Sequence, residues 1–169
     1  AMEAAPQNAA ILSALADAEA HRGNLSTALY FAREARDQSP STAYYHLELA
    51  RLLRTADQPR AAMEAYRTLL RRFPDHTQGR LALARLLAEQ GRPQRALRHY
   101  EALLEASQPV PPSTYTEMLE LYDQTEDDAG RERILRRLVD RRPETPRFRR
   151  RLGHLYTRQE RYEDAISVL

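Results

Sequence analysis

Apolar positions along this chain fall into short lines of helical spacing, and the same pair of lines keeps returning. Between residues 78 and 90, Leu81, Leu83, Ala84, Leu86 and Leu87 keep that spacing, and Gly91 ends the run. Pro93 opens the next line, Ala96, Leu97, Tyr100, Leu103 and Leu104. Proline suits a first helical position, where its missing N–H has no helical partner; Pro59 plays the same part earlier. Five series then share one register: Ala28, Ala62, Ala96 and, further on, Ala165; Leu15, Leu49, Leu83, Met118 and Leu152; Pro40, Pro74, Pro109 and Pro143; the turn positions Gly23, Asp57, Gly91, Glu126 and Glu160; and Tyr66, Tyr100, Leu135 and Leu169. Their spacing is 34, with one step of 35 whose extra residue lies between Leu103 and Pro109. Five series slipping together at one place make this a repeat rather than an accident of leucine-rich composition. The pattern predicts helices over 8–21, 25–37, 43–55, 59–72, 77–89, 93–106, 113–125, 128–141, 146–158 and 162–169. The closing prolines stop each second helix, because the residue before a proline avoids the α region.

These residues resemble the tetratricopeptide repeat, whose 34-residue pattern runs Trp, Leu-Gly, Tyr, Ala, Phe or Tyr, Pro. Leu152-Gly153, Tyr156 and Ala165 match it best. Leu83-Ala84, Leu87, Gly91, Ala96 and Tyr100 follow, as do Leu49-Ala50, Leu53, Ala62, Tyr66 and Pro74, and then Leu15-Ala16, Gly23, Ala28 and Pro40. The resemblance covers residues 9–169 and implies an all-α, right-handed α-α superhelical solenoid of helix-turn-helix repeats. The expected repeats are 9–42, 43–76, 77–111, 112–145 and a short 146–169, with 1–8 an expression scar (Ala1-Met2) or the start of the first helix. Two departures stand out. The tryptophan position holds Leu12, His46, Arg80, Tyr115 and Arg149, so its contact is lost or replaced in at least three repeats. In the fourth repeat Arg131 stands at the small alanine, where it is expected to push its helix pair apart or turn outward. The last helix is short, and Leu152, Leu155, Tyr156, Ile166 and Leu169 are expected to leave an apolar edge, as in a piece of a longer array.

Composition narrows the chemistry. Ala, Leu, Arg and Glu make up more than half of the 169 residues, a helix former's mixture, and no apolar run is long enough for a membrane span. The chain has no Cys, which removes disulfides, zinc-thiolate sites and cysteine nucleophiles; its 26 basic residues are all Arg. The five histidines, 21, 46, 76, 99 and 154, show no metal-ligand spacing, and each reads as a surface or groove histidine. The five glycines lie at helix ends rather than in a phosphate-cradling loop. Glu126-Asp127-Asp128 reads as a helix N-terminal cap rather than a calcium loop. No enzyme, cofactor or metal is expected.

Binding has a geometry in this architecture, because the resemblance implies that the first helix of each pair lines the concave face. The groove positions are then the second, fifth, ninth, twelfth and thirteenth of each repeat, among them Ser13, Leu47 and Leu81. The candidate partner-binding residues are Tyr44, Arg51, Arg54 and Arg85, then Glu120 and Asp123, then Arg147, Arg150, His154 and Arg158. Counting Arg against Asp plus Glu, residues 1–50 carry −3, 51–111 carry +5, 112–130 carry −6 and 131–169 carry +6. Such banding suits an extended partner read at several points, since complementary charge steers encounter and fixes register. Family members that clamp chaperone carboxyl termini use Lys and Asn in the groove; here there is no Lys, and Asn8 and Asn24 lie outside it. Arginine still grips a carboxylate bidentately, which keeps an acidic peptide open.

The expected function is a non-catalytic scaffold binding another protein, as a peptide or a domain. Its narrower form is a bacterial envelope or exopolysaccharide-export protein, with the periplasm favoured over the cytoplasm; the Arg-only, Ala- and Leu-rich usage hints at a GC-rich bacterium. Two alternatives stay open: nucleic acid or polysaccharide on the Arg-rich stretch 131–161, and self-assembly through the C-terminal edge.

Overall fold

The computed structural model describes residues 6–169; the expected scar Ala1-Met2 lies outside the described residues. Ten helices follow one another: α1 (Pro6–His21), α2 (Leu25–Gln38), α3 (Ala43–Thr55), α4 (Pro59–Arg72), α5 (Thr77–Glu89), α6 (Pro93–Glu105), α7 (Pro112–Gln124), α8 (Asp128–Arg141), α9 (Pro146–Arg158) and α10 (Tyr162–Val168). Every boundary lies within two residues of the one the repeat predicts. The extra residue falls in the α6–α7 connection, six residues long where the three equivalent connections have four.

The turn series has a backbone cause. Gly23, Asp57, Gly91, Glu126 and Glu160 all adopt positive φ, between 53° and 82°. A residue in this left-handed conformation lets the next N–H reach back to a carbonyl of the helix's last turn. Asn24 N–H bonds Glu19 O at 2.9 Å, Gln58 bonds Leu53 at 2.9 Å, Asp127 bonds Tyr122 at 3.0 Å and Arg161 bonds Tyr156 at 2.9 Å. Each bond uses an otherwise orphaned helix carbonyl and sets where the second helix begins.

The chain divides into two compact units, one reaching to Glu89 and the other running from Gln90 to Leu169. In the first, α1 pairs with α2 and α3 with α4, while α2 lies against α3 and α4 against α5. Ala28, Ala50 and Ala62 are fully buried, and Leu49, Leu53, Tyr66 and Leu69 fill the layers around them. Small side chains let helix backbones approach, and the large ones close the remaining space to interior density. The second unit repeats the scheme with α6 against α7, α7 with α8, α8 against α9 and α9 with α10. Its core holds Tyr100, Met118, Leu119, Tyr122, Leu135, Leu152 and Tyr156.

Three expectations need correction. Leu15 belongs to the same series as the buried Leu49, Leu83, Met118 and Leu152, yet it is 42 % exposed. Those four sit on helices that a preceding second helix covers; among the described residues none covers α1. At the other end Leu152, Leu155 and Tyr156 are buried, so the apolar edge shrinks to Ile166 and Leu169, 78 % and 72 % exposed, with Tyr162 beside them. Arg131 does not turn out into solvent. Its guanidinium is held in ion pairs with Asp123 (2.6 Å) and Asp128 (2.8 Å), and only 12 % of the side chain is exposed. The buried small residue of α8 is its neighbour Gly130: a Cβ there would lie 2.2 Å from the Tyr122 ring. The cap reading of the acidic cluster holds, since the Asp127 carboxylate accepts from Gly130 N–H at 2.8 Å.

Gly130→Ala is therefore expected to lower stability by about 1–3 kcal/mol through overpacking against Tyr122. Glu160→Gly removes a left-handed non-glycine and should raise stability by roughly 0.5–1 kcal/mol, the penalty of about 1–2 kcal/mol less the entropy of the glycine. Urea unfolding of the two variants checks both signs.

Candidate functional site

The candidate residues divide between the two units, and each set has its own electrostatic state. On α3, Tyr44 is half-exposed, its ring edge-on to Tyr45 at 5.4 Å between centroids. Arg51 is held by Glu48 at 2.9 Å, with Gln78 of α5 at 3.4 Å, and Arg54 faces Glu89 at 3.8 Å. Arg85 is partly buried and engaged within the protein. The first unit's three candidate arginines are thus already engaged. Ser13, Leu47 and Leu81, expected to face the groove, are buried. In the first three repeats the fifth position is thus a packing position, turned toward a neighbouring helix, whereas its counterpart in the last repeat, Arg150, is exposed.

In the second unit Asp123 is likewise committed, to Arg131 at 2.6 Å and to Arg151 of α9 at 3.1 Å, while Glu120 is exposed. The rest of the set lies on one side of α9. Arg147, Arg150, His154 and Arg158 are all exposed, at spacings of three and four residues that align them along the helix. The Arg147 guanidinium rests 4.7 Å from the centroid of the buried Phe148 ring. Among the described residues, Arg150, His154 and Arg158 have no ion-pair partner, which leaves their hydrogen-bonding and charge for an outside group.

Beneath this surface lies a feature the repeat spacing did not announce. Where the first unit has Leu53, the second has Tyr122 and Tyr156, and each hydroxyl joins a carboxylate to arginine. Tyr122 donates to Glu101 of α6 at 2.6 Å and accepts from Arg133 of α8 at 3.1 Å, while Arg133 itself pairs with Glu101 at 2.5 Å. Tyr156 donates to Glu132 at 3.2 Å and accepts from Arg136 at 2.8 Å; Arg161 closes on Glu132 at 2.7 Å and covers the Tyr156 ring at 4.4 Å. Burial, and then the bond to Glu101, push the Tyr122 phenol well above its usual value; the hydrogen bond to that phenol raises Arg133 further. A tyrosine at a leucine position was visible in the sequence, but its partners come from neighbouring helices 11 to 24 residues away.

The tryptophan position is also resolved. His46 is buried, donates from Nε2 to the Pro40 carbonyl at 2.9 Å and meets the Phe73 ring at 5.7 Å. Arg80 donates to the Pro74 carbonyl. Both side chains reach back six residues to the proline that closes the preceding repeat. Tyr115 accepts from Arg141 at 2.8 Å, with the guanidinium 5.5 Å from the ring centroid. In these three repeats the contact is replaced by polar side chains rather than lost. This also moves His46 out of the class of surface or groove histidines. Among the described residues no group of three or more His, Asp or Glu side chains could hold a metal ion.

Tyr122→Phe should cost about 1 kcal/mol at neutral pH, the net value of one buried hydrogen bond. It should also flatten the alkaline slope. The folded protein keeps a proton that the unfolded chain releases above about pH 10, so wild-type stability is complete below that pH and falls as pH rises from it. Urea midpoints at neutral pH and near pH 11 measure both effects.

Comparison with known proteins agrees with this geometry. The tetratricopeptide repeat family model matches residues 1–43, 47–111 and 115–169. No characterised protein matches by sequence. Among solved structures, MamA from Desulfovibrio magneticus RS-1 (residues 41 to the end) superposes with a TM-score of 0.69 at 19 % identity, covering 95 % of this chain and 90 % of that one. YrrB, described as a tetratricopeptide protein with an unusual peptide-binding site, gives 0.65 at 14 % identity, covering 93 % and 80 %. The first such domain of Spaghetti, bound to the HSP90 peptide SRMEEVD, gives 0.66 at 13 % identity, covering 75 % and 99 %. Identities this low speak to the fold alone, and the fold is the α-α solenoid class that the helix pairs display. With matches over nearly its whole length and the repeat's own turns and packing in place, the chain belongs to the tetratricopeptide repeat family.

Proposed function

We propose that this chain is a non-catalytic interaction module that binds a partner protein through an acidic segment laid against α9. The observation that carries this reading is the exposed row Arg147, Arg150, His154 and Arg158, whose last three members have no ion-pair partner among the described residues. A charge already paired within the protein must break that pair to serve a ligand, and gains little. Arg51, Arg54 and Asp123 are in that position, which moves the binding surface from the middle of the chain to its last repeat. Arginine suits the task because its planar fork matches a carboxylate with two parallel bonds. The acidic peptide held by the Spaghetti domain shows that the fold accommodates such a ligand.

The same pairing narrows what a polyanion on 131–161 could use, since Arg131, Arg133, Arg136, Arg151 and Arg161 each already hold a carboxylate. A place in a bacterial envelope or exopolysaccharide-export protein is a narrower form of the scaffold reading, compatible with the Cys-free, Arg-only composition. No helix among the described residues is long and apolar enough to cross a membrane.

Calorimetric titration with a Glu-rich peptide, and with a Lys-rich peptide of the same length, tests the proposal. The acidic peptide should bind and the basic one should not. Changing Arg147, Arg150 and Arg158 together to Glu should weaken binding about tenfold or more, whereas Arg51→Ala with Arg54→Ala should change it less than about twofold. Equal affinity in the α9 variant would sink the assignment.

A further inference from the structure

The second helices of neighbouring repeats leave a cleft between them in each unit, and the two clefts differ in charge. In the second unit α6 and α8 flank a cavity of about 290 Å³ over α7, all three helices belonging to that unit. Its floor is apolar and buried, formed by Leu104, Met118 and Ile134. Its walls are charged and opposite in sign: Glu101 and Glu105 on α6, Arg133 and Arg137 on α8. The spacing of four places the charges of each wall one above the other, as two rungs across the cleft.

The first rung is closed. Arg133 pairs with Glu101 at 2.5 Å, and the Tyr122 hydroxyl bonds to both. The second rung, about 6 Å further along each helix, is open. Among the described residues Glu105 and Arg137 have no ion-pair or hydrogen-bond partner, although both line the same cavity. The corresponding cleft of the first unit, about 280 Å³ between α2 and α4, lacks such a rung. There Thr68 stands in the register of Arg137 and Asp37 in that of Glu105, and Asp37 is already paired with Arg36 at 2.6 Å. The open rung thus belongs to the residues of one cleft and not to the repeat.

We propose that the α6–α8 cleft binds a small zwitterion with an apolar tail, a free α-amino acid of about the size of leucine. Arg137 grips the carboxylate, Glu105 accepts hydrogen bonds from the ammonium group, and the tail lies on Leu104, Met118 and Ile134. Charge complementarity selects this ligand, because a carboxylate and a guanidinium across one apolar floor match both charges at one end of a molecule. Size agrees: the cavity falls at the small end of the roughly 300–1,000 Å³ that ligand pockets span. An oligopeptide carries its two terminal charges far apart and cannot present both to one rung. This site goes beyond the acidic-segment reading, which concerns the exposed row on α9.

NMR titration of the isotope-labelled full chain with L-leucine provides the test. Amide shifts should saturate at one site per chain and centre on residues 101–105 and 133–137. Isocaproate, which lacks the ammonium group, and isopentylamine, which lacks the carboxylate, should each bind about tenfold more weakly, as should glycine, which lacks the tail. Glu105→Gln and Arg137→Gln should each weaken leucine binding to a similar degree, with the fold followed by circular dichroism. Should either variant misfold, the two single-charge analogues test the same rung on the unaltered chain. The absence of saturable shifts overturns the proposal. So does isocaproate or isopentylamine binding as tightly as leucine, or leucine affinity unchanged in a folded Glu105→Gln or Arg137→Gln chain. The variant with Arg147, Arg150 and Arg158 changed to Glu should bind leucine as the unaltered chain does; loss there would place the ligand on α9 and overturn the assignment to this cleft.

Discussion

No helix pair in this protein can cover its own apolar face, and that constraint governs the rest of the structure. A pair brings its two helices together over a buried alanine or glycine, and what remains apolar can be hidden only by the pair beside it. The leucine series shows this directly. Leu49, Leu83, Met118 and Leu152 are buried because a preceding second helix lies on them, and Leu15, identical in kind, is not. Burial here belongs to a position's neighbours more than to its residue type.

The fourth repeat shows how much variation the constraint tolerates. Tyr122 is larger than the leucine that Leu53 and Leu87 would suggest at its position, and α8 meets it with Gly130 rather than the alanine of other repeats. The displaced position carries Arg131, whose cost is offset by Asp123 and Asp128. The tyrosine hydroxyl then needs partners, and Glu101 and Arg133 supply them. A residue that looks like decay of the pattern belongs to a substitution shared across three helices.

That redistribution of charge decides where a partner could act. A buried or half-covered network consumes arginines that composition alone would count as available. In the Arg-rich stretch 131–161, Arg131, Arg133, Arg136, Arg151 and Arg161 are spent on Glu101, Glu132, Asp123, Asp128 and Asp164, while the exposed row on α9 is among the charges that stay uncommitted. The near-zero net charge of the chain hides this, because a sum over residues carries no information about which pairs are made.

The sequence by itself determined the period, the helices and their turns. These depend on local physics: apolar spacing of a helix, proline at its first position, and a left-handed residue at its end, all written within a few consecutive residues. It also marked His46, Arg80 and Tyr115 as departures, without showing that two of them reach back to a proline carbonyl. Tertiary structure alone decided which members of each series are covered. It decided that Ser13, Leu47 and Leu81 are packing positions, that Gly130 and not Arg131 is the close contact, and which arginines are already paired. Those outcomes depend on side chains brought together from different helices, where distance along the chain says nothing about distance in space.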